Sequence, residues 1–478
     1  MLFNNTQLDI QQYLYNCLHI QKTAVKEQGI ESITERKQHL LQLKALIRDH
    51  REALIEAIHL DYGNRSRHET LFAEIITATD DINNSLKNLK KWTKVQKRKV
   101  DLSMYCGGTN RVIPQPLGVI GLIVPWNFPV NLMFSQLSAV FAAGNKAMVK
   151  LSENSRHLTA LFLKIIPQYF KPEKLQLFDE TGSVGIAFSK LPFDHIMFTG
   201  SSATGKKVMA AAAENLTPVT LELGGKSPAV IDPDYCLTKA VERIMFVKQF
   251  NAGQIYTNVD YLFLHESQKD AFIEASKNWV KEHVPDIYSN DYTSIIDDRS
   301  FQRLSNTVSQ AYEKGATVIS LNQQKADPLS RKFPLTLIFD SNDEMDIDTR
   351  ETFGPILMIK TYRQPEDVVN YIGQRDRPLA FYPFSTKQSL VDYYIENVMS
   401  GGVSVNDALF HVGQHDLPFG GVGASGMGHY HGYEGFLTFS KMRPVFYQAS
   451  FSSLKFLAPP YGNFADRVLN FLTKAKSF

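Results

Sequence analysis

Between residues 30 and 92, Arg36, Leu40, Leu43, Leu46 and Ile47 recur at spacings of three and four, and a charged stretch follows over residues 52–59; this period predicts a pair of helices packed on a later sheet. Residues 99–105, the turn Cys106-Gly107-Gly108 and residues 111–114 then read as a β-hairpin that needs a partner surface. From Leu117 the pattern changes. Short apolar runs over residues 117–124, 147–150 and 195–198 alternate with helical stretches over 132–143, from about 154 and from 203. Apolar strands alternating with helices predict a mostly parallel sheet covered on both faces. A second alternating series runs from 227 to 403, with helices at 238–251, 268–283 and 298–314, and the boundary between the two series falls at the flexible pair Gly224-Gly225. The last residues, after Pro459-Pro460-Tyr461-Gly462, form a short amphipathic helix over 464–475 whose basic side reads as a solvated face.

Composition narrows the class. With 478 residues, 44% hydrophobic and 21% charged, the chain is long enough for more than one core. A formal charge of +2 leaves no surplus for nucleic acid as a main partner. No apolar run approaches the roughly 18 residues of a membrane span, the stretch at 119–124 being the length of a buried strand. The first ten residues carry Asn4, Asn5, Gln7 and Asp9 in place of a basic start and apolar core, so a cytoplasmic location is expected. Cys17, Cys106 and Cys236 are odd in number and too far apart to chelate, which fits a reducing compartment and no metal.

Five segments are placed where chemistry is done. Pro125-Trp126-Asn127-Phe128-Pro129 follows a buried strand, so its side chains emerge at the carboxyl end, where open α/β sheets bind ligands; a Pro-bounded turn around a buried Trp is the alternative. Phe198-Thr199-Gly200-Ser201-Ser202-Ala203-Thr204-Gly205-Lys206 runs from a strand into a helix start whose free N–H groups suit a pyrophosphate, although a simple cap by Ser201 or Ser202 explains it equally. Glu222 lies between Leu221 and Leu223, where burial raises a carboxyl pKa toward neutrality. Lys150-Leu151-Ser152-Glu153 and Glu351-Thr352-Phe353-Gly354-Pro355 complete the set, with a helix cap and a Gly-Pro turn as their plainer readings.

Together with Asn64-Arg65-Ser66-Arg67-His68-Glu69-Thr70, Arg111-Val112-Ile113-Pro114-Gln115-Pro116-Leu117-Gly118, and Leu417-Pro418-Phe419-Gly420-Gly421-Val422-Gly423 followed by Ser425-Gly426-Met427-Gly428, these segments resemble the aldehyde dehydrogenase superfamily, most closely its coniferyl aldehyde dehydrogenase, class 3-like branch. The resemblance covers nearly the whole chain. It implies an α/β fold with a Rossmann-type cofactor domain (1–98, 115–222 and 404–430), an α/β catalytic domain (223–403), an oligomerisation element (99–114 and 431–455) and a tail helix (456–478). It further implies that Asn127 donates to an oxyanion and that Glu222 is the general base. Trp126, Lys150, Glu153, Gly200, Ser201, Gly205, Glu351 and Phe353 would then hold the cofactor. Lys150 and Glu153 would approach the adenosine ribose and Glu351 the nicotinamide ribose. Glu153 would repel a 2′-phosphate, which favours NAD and leaves NADP possible. The ligand would be an aldehyde, and the hairpin would meet a partner subunit through the strand near residues 442–447, giving a homodimer.

One position breaks the likeness. The family's Gly-Gln-x-Cys segment falls 34 residues after the base, and 222 plus 34 is Tyr256, within Gly253-Gln254-Ile255-Tyr256. The flanking Phe250-Asn251-Ala252 and Asp260-Tyr261 fix the register, and Ile255, Thr257, Asn258 and Val259 depart from the family pattern too. Thiolate attack is the first step of the family's reaction; a phenol with an ordinary pKa near 10 and a longer, rigid ring does not imitate it. Three readings follow. The chain is a cofactor-binding relative, binding or regulatory, that has lost thiol-dependent oxidation, or it is a reductase in which NAD(P)H delivers hydride and Tyr256 donates the proton, or it keeps residual aldehyde oxidation through water or another group.

Overall fold

Every residue of the strands Val119–Ile123 and Lys146–Lys150 is buried, as expected of strands covered on both faces of a parallel sheet. The structure, a computed structural model, describes residues 7–102, 105, 107–181, 183–452 and 457–476. These two strands lie in a six-stranded sheet ordered Gly426–Met427, Val219–Leu223, His195–Gly200, Val119–Ile123, Lys146–Lys150 and Leu175–Phe178. All neighbours are parallel except the two-residue strand Gly426–Met427, which pairs antiparallel with Glu222 and Leu221. After Val119–Ile123 the chain first builds outward on one side, through Lys146–Lys150 and Leu175–Phe178, and then returns to add His195–Gly200 on the other. That reversal opens a crevice at the strand carboxyl ends, where Pro125 to Phe128 and Gly200-Ser201 emerge.

A second sheet has seven strands, ordered Thr317–Ser320, Thr336–Phe339, Ile356–Tyr362, Tyr261–His265, Pro228–Ile231, Ala380–Phe384 and Gly402–Val403. Only its first pair is antiparallel. The α/β fold expected from the alternating pattern is therefore present twice. Helix Pro129–Ala143 is the central wall of the first core, with every residue except Asn131 buried.

A third sheet is small and antiparallel: Gln96–Arg98, Thr109–Pro116 and Ser440–Tyr447. Here the sequence reading needs correction. The first strand of the hairpin is Gln96–Arg98, not residues 99–105, because the backbone partners available on Asn110, Arg111 and Val112 face Arg98, Lys97 and Gln96. Cys106, assigned to the turn, lies outside the described residues. Two features were not anticipated. Helix Gln7–Gln28 buries Leu14, Cys17, Leu18, Gln21 and Ala24 along one stripe against the first sheet. The helical run from Arg67 to Trp92 carries a π-helical segment, Leu71–Ile76, an insertion often found beside functional sites. Among the described residues no helix is long and apolar enough to cross a membrane. The terminal helix Asn463–Lys476 exposes Phe464, Leu469 and Phe471.

Candidate functional site

Between helix Leu237–Gln249 and strand Tyr261–His265, three consecutive residues adopt the left-handed conformation: Asn251 at φ 51°, Ala252 at 49° and Gly253 at 71°. Only the glycine does so freely; the other two are strained and persist because their surroundings hold them. Those surroundings are dense. The Asn251 backbone N–H donates to Glu69 Oε1 at 3.1 Å, and its side chain donates to the Tyr62 hydroxyl, the Asn127 carbonyl and the Gln254 carbonyl at 3.3, 3.3 and 3.1 Å. The Gln254 amide bridges Asn251 and Ser294, donating at 2.9 and 3.1 Å, and accepts from Ile296 at 3.0 Å. This knot turns the chain sharply and projects Tyr256.

The Asn127 turn belongs to the same knot. Its carbonyl accepts from Arg65 at 2.7 Å and from the Tyr62 hydroxyl at 3.1 Å, while its side-chain Nδ2 donates to the Gln254 carbonyl at 3.3 Å. Arg65 is fully buried, pairs with the equally buried Glu74 at 3.2 Å, and lies 4.9 Å from the ring centres of both Tyr62 and Phe128. Burial pushes the Glu74 and Glu69 carboxyls up to about 7, against the pull of Arg65. Sequence reasoning quoted Arg65 and Glu69 without seeing that they brace the site, and missed Glu74; their long-range partners have no local signal.

Tyr256 lines a pocket of about 160 Å³ with Phe72, Phe128, Phe250 and Phe410. Its ring packs 5.9 Å from Phe419, and its hydroxyl is 3.5 Å from that of Tyr430. Burial raises the Tyr256 phenol pKa above its ordinary value; Tyr430 pulls it down, and the carboxyls of Glu222 and Asp81 add to the rise. Glu222 itself is buried, with neither carboxyl oxygen hydrogen-bonded among the described residues, and desolvation lifts its pKa far above the carboxylate range. Of the cysteines, Cys17 is packed in the core under helix Gln7–Gln28 and Cys236 precedes helix Leu237–Gln249; neither lines this pocket.

A larger cleft of about 590 Å³ brings together Ser202, Gly224, Gly225, Lys226 and Glu351. On one side, helix Ser202–Ala213 begins with Ser201 as cap, whose hydroxyl accepts from Thr204 at 3.3 Å, and this first turn is open to solvent. Gly205 is where the helix meets the sheet, since a β-carbon there would collide with Leu223. On the other side the Glu351 carboxylate reaches over Gly224, where a β-carbon would strike it, and accepts from the Gly225 N–H. Burial, then the neighbouring Asp260, raise Glu351 to about 8. Lys226 ties the floor together: its ammonium pairs with Asp260 and donates to the Ile347 and Arg350 carbonyls at 2.8 and 3.1 Å. Asp260 in turn accepts from Thr352 N–H at 2.8 Å, and Arg303 donates to the Thr352 and Phe353 carbonyls at 2.6 and 3.3 Å. These bonds hold Phe353 at φ 45°, with its ring 5.6 Å from Trp126. Asp260 and Arg303 thus belong to the site although no role was assigned to either from sequence.

Lys150 and Glu153 stand apart from this cleft. Lys150 is buried and paired with Glu180, a partner the sequence reading did not identify and whose carboxylate also accepts from Gly185 N–H at 3.1 Å. Glu153 is exposed and hydrogen-bonded to the Ser152 hydroxyl at 3.2 Å.

Two parallel sheets joined across a helix-start cleft and a short antiparallel sheet define the aldehyde dehydrogenase architecture. The chain belongs to the aldehyde dehydrogenase family, whose model matches residues 17–445. It is 42% identical over 450 residues, 94% of each chain, to a probable coniferyl aldehyde dehydrogenase of Pseudomonas aeruginosa. It is 40% identical over 464 residues, 96% of each chain, to a coniferyl aldehyde dehydrogenase of a Pseudomonas species. Among solved structures, substrate-bound AldH of Staphylococcus aureus superposes with a TM-score of 0.91 at 32% identity, covering 96% of this chain and 99% of that one.

Proposed function

We propose that this chain is a dinucleotide-binding member of the family, with NAD as the favoured cofactor and NADP possible, that has lost thiol-dependent aldehyde oxidation. The observation that carries the reading is the side chain of Tyr256, a half-buried phenol just past the strained and tightly bonded turn Asn251-Ala252-Gly253. In the family likeness that turn presents the nucleophile. A phenol whose pKa is raised above its ordinary value is a poor nucleophile and a poor proton donor, which favours loss of the reaction over a reductase with Tyr256 as acid.

The cofactor-side residues fit a dinucleotide. The open first turn of helix Ser202–Ala213 would receive the pyrophosphate on its free N–H groups, with Gly200, Ser201 and Gly205 shaping the approach. Glu351 would accept from the nicotinamide ribose hydroxyls, which requires it to release Gly225, while Trp126 and Phe353 would wall the nicotinamide end. Lys150 and Glu153 are proposed for the adenosine ribose, Lys150 through its ammonium beyond the Glu180 contact. When bound, the nicotinamide supplies a two-electron hydride acceptor. Asn127 would donate from Nδ2 to a carbonyl oxygen lodged beside Tyr256, exchanging its Gln254 partner, and Glu222 would stand as the general base. The relatives named for coniferyl aldehyde make an aromatic aldehyde the first ligand to try. Strand Ser440–Tyr447 is an edge strand of the small sheet, and we assign it to a homodimer contact.

Incubating the purified chain with NAD and 4-hydroxy-3-methoxycinnamaldehyde, followed by chromatographic detection of the acid, tests the reading. No acid above the protein-free control is expected; steady acid formation overturns it.

A further inference from the structure

Lys150 closes strand Lys146–Lys150, and the neighbouring strand Leu175–Phe178 runs parallel to it with Phe178 level with Lys150. The backbone holds that register one step further, where Leu151 N–H donates to the Phe178 carbonyl at 3.2 Å. Two residues beyond Phe178, Glu180 stands beside the Lys150 ammonium, and the two form an ion pair. Their side chains are 10% and 19% exposed, so water and salt screen the pair only weakly. The carboxylate is also fixed from its other side, since Gly185 N–H donates to its two oxygens at 3.2 and 3.1 Å. A β-carbon on Gly185 would stand 2.7 Å from Glu180 Oε2 and 3.3 Å from Lys150 Nζ, so the glycine leaves the room that the pair occupies.

Glu153 is placed differently. It lies in a turn beyond the strand, where Ser155 N–H donates to the Ser152 carbonyl at 3.0 Å, and its exposed carboxylate accepts from the Ser152 hydroxyl. A charge in water acts through a dielectric near 80; in a partly dry crevice the same charge acts about four times more strongly. Lys150 has three N–H donors and one carboxylate partner among the described residues, which leaves donors for a hydroxyl. The charges of Lys150 and Glu180 cancel. A neutral diol arriving at these strand ends therefore meets a donor and an acceptor side by side, whereas a phosphate meets a cation already neutralised and a carboxylate next to it.

We propose that Glu180, and not Glu153, sets the cofactor preference: its carboxylate accepts from a hydroxyl of the adenosine ribose beside the Lys150 ammonium and excludes a 2′-phosphate. The proposal rests on the preceding reading in taking Lys150 as a contact of that ribose. Preference for NAD is then a property of the pair. Removing the negative charge at 180 leaves Lys150 free to receive a phosphate, and removing the one at 153 takes away only a charge that solvent already screens.

The test is calorimetric titration of the full chain at about pH 8, where a phosphate monoester is a dianion, with NAD, NADP, 5′-AMP and adenosine 2′,5′-bisphosphate. The last two report on the adenosine end alone. The native chain is expected to bind each 2′-hydroxyl compound at least about tenfold more tightly than its 2′-phosphorylated counterpart. Glu180→Gln, which keeps the shape and an oxygen for Gly185 N–H, is expected to narrow both ratios at least about tenfold, through tighter and salt-sensitive binding of the 2′-phosphates. Glu153→Gln is expected to move them less than about threefold. Adding Lys150→Met to Glu180→Gln is expected to cancel the gain, which a merely structural role for Glu180 would not produce. Glu180→Ala is expected to shift the ratios the same way and decides the matter should the Gln variant not fold. Ratios unchanged in the Glu180 variants, a Glu153→Gln variant that carries the whole shift, or a native chain that prefers the 2′-phosphates would each overturn the proposal. Fragments that discriminate through Glu180 while NAD itself does not bind contradict the preceding reading alone. Absence of binding by all four overturns both.

Discussion

The two ends of the site differ in what they have kept. Around Ser202, Gly224 and Glu351 the polar groups are mutually engaged: Lys226 with Asp260, Asp260 with Thr352, Arg303 with Thr352 and Phe353. Around Tyr256 the backbone is equally well held, but the space is lined by the rings of Phe72, Phe128, Phe250 and Phe410 among polar and aliphatic neighbours, and Glu222, Asn131 and Thr257 contain oxygens with no hydrogen-bond partner among the described residues. A strained turn costs about 1–3 kcal/mol per residue, and here it is maintained by Asn251, Gln254, Asn127 and Glu69 although its end carries a phenol.

The sharpest way to break this contrast is to restore a thiol. If the scaffold is intact, Tyr256→Cys gains aldehyde oxidation from an undetectable baseline, by at least about a hundredfold over the native chain, since nucleophile and base act as a unit. A variant that binds NAD and folds but stays inert would show that the aromatic end has drifted beyond one residue. The next effect is on stability. Arg65→Met leaves the buried Glu74 carboxyl unpaired and removes the donor from the Asn127 carbonyl, and a loss of about 3–5 kcal/mol is expected in urea unfolding. A loss under 1 kcal/mol would mean the brace is unimportant.

How much of this was legible in the sequence follows from the range of the forces involved. The buried strands 119–123 and 146–150 and helices such as Lys269–His283 and Asp298–Glu313 announce themselves through local apolar pattern, and so does the parallel sheet they imply. Helix Gln7–Gln28 has the same stripe but so many polar neighbours that it was passed over. The hairpin strand was misplaced because Gln96, Lys97 and Arg98 carry no apolar signal and are strands only through pairing with Thr109–Pro116. The burial of Glu222 was readable from Leu221 and Leu223. The partners of Lys150, Asn127 and Thr352 lie 30 to 127 positions away, and no local pattern encodes them.

Smaller effects sharpen the contrast through pH. The Glu222 pKa is raised on folding, so its contribution to stability is full below the unfolded value near 4.5 and is lost as pH rises toward the folded value. Replacing it with Gln is expected to flatten the decline of Tm as pH rises above the unfolded value; an unchanged slope would place the titration elsewhere. Glu351, raised to about 8, accepts ribose hydroxyls best when ionised, so NAD affinity is expected to rise roughly severalfold from pH 7 to 9 and to lose that dependence in Glu351→Gln. A flat profile in the native chain would remove Glu351 from the cofactor contacts.

The central claim is that the dinucleotide end is retained while thiol chemistry is gone. A calorimetric titration of the native chain with NAD, followed in the same sample by addition of an aromatic aldehyde and monitoring of reduced-nicotinamide fluorescence, addresses both halves. The account predicts saturable NAD binding and no fluorescence growth. Reduced cofactor accumulating at the ordinary enzymatic pace of about 1 per second or faster, or no binding of NAD at all, would contradict it.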